Sequence, residues 1–73
     1  MRPHELRVVE EKAELDKKIA GLEKYIQTND NFYRLPNEER IRMYRQNAFM
    51  RCYSRMLGAR IDAFPPMTGD KPA

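Results

Sequence analysis

The stretch that decides the fold is IRMYRQNAFMRCYSRMLGARIDAF, residues 41–64. Wound as a helix at about 100° per residue, it shows two apolar faces. One face collects Met43, Met50, Tyr53, Leu57, Ile61 and Phe64. The other collects Ile41, Ala48, Phe49, Cys52, Met56, Ala59 and Ala63. The strip left over carries Arg40, Tyr44, Arg51, Arg55 and Asp62, with Arg42 and Arg60 between the two faces. A single antiparallel partner covers one face of such a helix. The second face therefore calls for another partner, and Ala48, Phe49, Cys52, Met56, Ala59 and Ala63 are the expected self-association surface.

Upstream of this helix, Leu35-Pro36-Asn37-Glu38-Glu39 is a helix-start signal. Pro36 suits the first helical position, the acids favour the positive end of the helix dipole, and Leu35 suits a hydrophobic staple. Before it, the run QTNDN breaks the chain. Asn29 or Asn31 suits a left-handed residue there, and Asp30 suits the cap of a following turn. Phe32, Tyr33 and Leu35 are too apolar for a free loop and are expected to fold over the end of the helices.

The first helix is expected over residues 4–27. Pro3 fits its first turn, and Glu5, Glu10 and Glu11 follow. Val8, Leu15, Ile19, Leu22 and Ile26 recur at spacings of seven, four, three and four, a coiled-coil-like stripe. Lys12 stands where an apolar residue is missing. A lysine there either snorkels to the surface or faces a functional cavity. Downstream, Gly58 costs roughly 1 kcal/mol relative to Ala, tolerable if another backbone approaches it. Pro65-Pro66 stops the second helix.

The expected fold is thus all-α: an antiparallel helical hairpin with a short insertion at its turn, assembling as a homo-oligomer. Residues 1–66 form one domain, with helices over 4–27 and 37–64, a connector over 28–36, and a disordered tail over 67–73.

Composition narrows the function. A chain of 73 residues buries a thin core, and chains of this size lean on metals, disulfides or oligomerisation. One cysteine excludes an internal disulfide, and one histidine argues against structural zinc. No metal and no cofactor is expected. No apolar run approaches the roughly 20 residues of a membrane span. The start, MRPHELRVVEE, turns acidic where a signal peptide is apolar, so a cytoplasmic location is expected, with no membrane partner.

The net charge of +3 is unevenly spread. Residues 1–31 hold six Lys or Arg against seven acids, whereas residues 32–64 hold seven Arg against three acids. That favours an anionic partner for the second helix. Lys12, Arg42, Tyr44, Arg45, Arg51 and Arg55 are the candidate ligand-binding residues. Guanidinium groups take phosphates bidentately, and tyrosine faces stack on bases. The competing use of these arginines is salt bridging to Glu11, Glu14 and Glu23. Catalysis has little support: the only imidazole for Cys52 or Ser54 is His4, at the start of the other helix, where an antiparallel hairpin brings it toward the end of the second helix; and no glycine-rich phosphate loop is present.

HELRVVEEKAELDKKIAGLEKYI, then FYRLPNEER, then MRCYSRMLGARIDAF resemble a family of very short helical proteins encoded by tailed phages and prophages, one branch of which is labelled by its relation to a crAss-like phage. The resemblance covers residues 4–64 and brings no catalytic motif. It implies a phage protein acting on a host process in the host cytoplasm. By analogy of architecture, such proteins include oligomeric sponges for cyclic nucleotides or ADP-ribose-like immune signals. The reading is a non-enzymatic anti-defence protein that sequesters an anionic nucleotide. The alternative is an adaptor or inhibitor that lays an amphipathic helix on a host protein. Nucleic-acid binding fits less well, because the first helix is slightly acidic and no recognised motif is present.

Overall fold

The computed structural model describes residues 2–65. These form three helices and no strand: α1 (Pro3–Thr28), α2 (Asn31–Arg34) and α3 (Asn37–Asp62). The expectation for the tail over 67–73 lies outside the described residues.

Pro3 opens α1 at the first helical position, and the Arg2 N–H donates to Glu5 Oε1 at 3.0 Å. From there α1 lays down a row at alternating steps of three and four: Glu5, Val8, Lys12, Leu15, Ile19, Leu22 and Ile26. Every member is buried or half-buried. The matching row from α3 onward is Met43, Asn47, Met50, Ser54, Leu57, Ile61 and Phe64, and again every member is buried or half-buried. Alternating three-and-four steps are the seam of a coiled coil. Contacts across it pair low numbers with high ones. His4 packs edge-on against Phe64, Lys12 and Asp16 bond to Ser54, and Glu23 bonds to Asn47 and Arg51. The two long helices therefore lie side by side in opposite directions.

The seam departs from the sequence reading at one register position. Tyr53 was expected on the buried face of the second helix; it is exposed, and its hydroxyl donates to Glu11. Ser54 takes the buried place instead, because the three-and-four step from Met50 lands on residue 54.

At the turn, Phe32 is fully buried and packs edge-on against Tyr25, Tyr33 and Tyr44 at centroid distances of 6.2, 5.4 and 5.5 Å. It closes the end of the helix pair as expected, and Leu35 is half-buried beside it. Tyr33 instead keeps its outer side in solvent, 66% exposed. No left-handed residue is used among the described residues. Asn29 is extended (φ −97°, ψ 119°), and its Oδ1 accepts the Asn31 N–H at 2.9 Å, so a side-chain turn replaces the expected left-handed cap. Pro36 sits one step outside α3, where its carbonyl accepts from the Glu39 and Arg40 N–H groups. α3 ends at Asp62, two residues before the expected end.

Phe32 and Leu57 are the two largest fully buried side chains among the described residues. Each contributes about 1.5–3 kcal/mol by burial. With Val8 and Ile19 they make up the buried apolar core, which is thin for two helices of 26 residues each.

Candidate ligand-binding cleft

The seam is not apolar throughout, and one of its polar members, Ser54, lines a cleft at its edge. Lys12 Nζ donates to Asp16 Oδ2 at 2.8 Å, one turn along α1, and to Ser54 Oγ at 3.1 Å across the seam. The Ser54 hydroxyl donates to Asp16 Oδ1 at 2.5 Å. These three side chains form a closed polar triangle on one edge of the helix pair. The alkyl stem of Lys12 lies over Gly58, where an added Cβ would stand 3.3 Å from Lys12 Cε. Within the chain, then, the group that comes close to Gly58 is the Lys12 side chain. Lys12 is held in the seam at half burial; it does not run free to the surface.

One turn toward the N-terminus of α3, Glu23 collects two donors. Arg51 Nε reaches its Oε2 at 2.5 Å, and Asn47 Nδ2 reaches the same oxygen at 3.2 Å. Between the two clusters opens a cleft of about 240 Å³ lined by Asp16, Ile19, Arg51, Ser54 and Arg55. Ile19 supplies an apolar floor; the other four supply charge and hydrogen bonding. Counting Lys12 and Glu23 behind the lining, three cations stand against two carboxylates. Arg55 makes no ion pair among the described residues.

The electrostatics follow from the contacts. The hydrogen bond from Lys12, then that from Ser54, holds the Asp16 carboxyl below its ordinary range. Arg51, then Asn47, does the same for Glu23, and Glu23 in turn raises Arg51. Both carboxylates are ionised at neutral pH and sit ready to accept. On the opposite edge, the bond to Glu11 and partial burial raise the Tyr53 phenol.

The structure gathers three of the six candidate ligand-binding residues in one place: Arg51 and Arg55 in the cleft wall and Lys12 behind it. The other three are elsewhere. Arg42 pairs with Glu39 one turn back at 2.8 Å. The Tyr44 ring packs on Phe32 at the turn. Arg45 falls, by helical period, on the face of α3 opposite the seam. Of the anticipated salt bridges, Arg51 takes Glu23, while Glu14 pairs with Lys17 and Glu11 serves Tyr53. Asp16, Ile19 and Ser54 line the cleft and are not among the six candidates. The i, i+4 spacing of Lys12 and Asp16 was available as a signal, but the position of Ser54 opposite them was not.

The face opposite the seam is open. Ala48, Phe49, Cys52, Met56, Ala59 and Ala63 are all exposed, with Phe49 72% and Met56 61% accessible. Cys52, which the sequence reads as a small buried residue, is exposed. It lies about 18 Å along α3 from Phe64, against which His4 packs, so the two residues do not form a nucleophile–base pair.

These features define a small all-helical protein with a charged interhelical cleft and one uncovered apolar face. The chain belongs to the Sequestin family, whose family model, described as Sequestin, matches residues 2–63. Comparison with curated proteins finds no match, and comparison with solved structures finds none. Among the described residues, no helix is long and apolar enough to cross a membrane.

Proposed function

We propose that this protein binds and sequesters a small anionic nucleotide without transforming it, as a phage-encoded anti-defence protein in the host cytoplasm. The carrying observation is the cleft: Arg51 and Arg55 on one wall, Lys12 behind, and an Ile19 floor on which a base can rest. The family's name, Sequestin, agrees with a sequestering role, and the resemblance to short phage-encoded helical proteins suggests the setting. A cyclic nucleotide or an ADP-ribose-like signal has the chemistry such a cleft suits, with phosphates for the guanidinium groups and a flat base for the floor.

In this reading the outer face of α3 is covered by a second copy of the chain. Six exposed small or apolar residues along one stripe suit close packing of like helices. The same face would also accept an amphipathic helix of a host protein, and the exposure of Phe49 and Met56 is what keeps an adaptor role as the second reading.

Calorimetric titration of wild type, Arg51→Ala and Arg55→Ala against cyclic di- and trinucleotides and cyclic ADP-ribose isomers tests the proposal. Loss of one charged contact is expected to cost about 1.5–3 kcal/mol, or roughly tenfold to a hundredfold in affinity. The helices should remain folded, since both arginines are exposed. Wild type binding none of these compounds would reject sequestration in favour of the adaptor. Equal binding by wild type and both variants would move the site elsewhere.

A further inference from the structure

We propose that Asp16 is the specificity residue of the cleft: it reads a hydrogen-bond donor on the ligand, a base amine or a ribose hydroxyl, and so selects nucleotides over bare polyphosphates. The inference rests on the sequestration reading and deepens it.

A cleft built only to hold phosphate has no use for a carboxylate in its wall, because like charges at close range repel. Glu23 avoids that conflict by lying behind Arg51, already engaged by two donors, and it does not line the cleft. Asp16 does line it. Its side chain is 47% exposed, and each oxygen is fixed by one donor, Oδ1 by Ser54 and Oδ2 by Lys12. A carboxylate accepts about four hydrogen bonds, so acceptor capacity remains toward the cleft. The two donors hold the group in place and keep it ionised. The cleft is then two-sided. Arg51 and Arg55 form the anion end on α3, Asp16 forms the donor-reading end on α1, and Ile19 lies between them. A nucleotide carries phosphate, a flat apolar face and N–H or O–H donors on one skeleton. Tripolyphosphate carries only the first and meets Asp16 as a repulsive neighbour.

The test compares wild type, Asp16→Asn and Ser54→Ala by calorimetry, with the cyclic nucleotides named above and with sodium tripolyphosphate. Wild type should bind at least one nucleotide more tightly than tripolyphosphate. Asp16→Asn should shrink that preference tenfold or more, by weakening the nucleotide and relieving the repulsion of tripolyphosphate. Ser54→Ala keeps the charge and should keep most of the preference. Wild type binding tripolyphosphate as well as any nucleotide overturns the inference while leaving anion sequestration standing, and this arm needs no variant to fold. A preference unchanged in folded Asp16→Asn overturns it equally. Wild type binding none of the probes rejects the sequestration reading itself, and the inference with it.

Discussion

The two long faces of α3 use similar side chains and meet different fates. The inner face, from Met43 to Phe64, includes Asn47 and Ser54, yet it is the buried one. The outer face, with Ala48, Phe49, Cys52, Met56, Ala59 and Ala63, is apolar along its stripe and stands in solvent. The inner face carries the larger apolar side chains, Met43, Met50, Leu57, Ile61 and Phe64, against an outer stripe that is half alanine. Its polar members also find partners on α1: Ser54 meets Lys12 and Asp16, and the Asn47 amide N–H donates to Glu23, though Asn47 Oδ1 is buried without a partner. A buried polar group that is hydrogen-bonded specifies which surfaces pair and in what register. The outer face has no such complement on α1 and stands in solvent in the single chain.

Neighbouring substitutions should separate the two faces. Leu57→Ala deletes a fully buried side chain and is expected to lose about 2–5 kcal/mol, a large part of the stability of so small a chain, seen as loss of helical circular dichroism at any protein concentration. Met56→Glu, one residue away, should leave the helices formed but shift sedimentation to a smaller species. Ala59→Arg should act in the same direction, and Lys17→Glu on exposed α1 should not. If Met56→Glu unfolds the chain as Leu57→Ala does, the distinction between the faces fails.

Much of this contrast was legible in the sequence, and the missing part has a physical reason. The seam of α1 could be read from Val8, Leu15, Ile19, Leu22 and Ile26, because apolar residues at three-and-four spacing report a buried stripe directly. The second apolar stripe of α3 was equally readable, and it is exposed in the single chain. The polar seam positions were not. Ser54 and Asn47 look like surface residues until the side chains opposite them are known, so Tyr53 was placed inward and Asp16 was overlooked. Gly58 shows the same limit. Its position was consistent with close approach, but only the fold shows that the approaching group is the stem of Lys12. The Asn29 turn was missed because asparagine can form a side-chain turn or a left-handed cap from the same sequence.

Smaller effects sharpen the inner-face account. Glu23→Gln removes the carboxylate that occupies Arg51 and should raise nucleotide affinity severalfold, while Glu14→Gln, the same charge change away from the cleft, should not. Gly58→Ala should gain helix propensity of up to about 1 kcal/mol, because the half-exposed end of Lys12 can yield a few tenths of an ångström. A marked loss of thermal stability would show that Lys12 is fixed more tightly than its exposure implies.

The smallest effect is the pH response. Asp16 and Glu23 have carboxyl groups lowered in the folded state, so their stabilisation is complete above the ordinary carboxylate range, near pH 4–4.5, and is lost as pH falls through the lowered values. Both are solvent-accessible pairs, and the loss should be a shallow one. Asp16→Asn combined with Glu23→Gln should flatten the acid limb of a melting-temperature profile. An unchanged limb would place the acid sensitivity in other carboxylates.

We propose that the outer face of α3 carries assembly while the inner edge carries the ligand. Native mass spectrometry tests both parts at once, on protein purified from its host and then on the same protein mixed with cyclic nucleotides and cyclic ADP-ribose isomers. The expected result is multiples of the single-chain mass, with an intact nucleotide retained by wild type and lost from Arg51→Ala and Arg55→Ala without loss of the multimer. A single-chain mass at every concentration, carrying no nucleotide from either source, would contradict it.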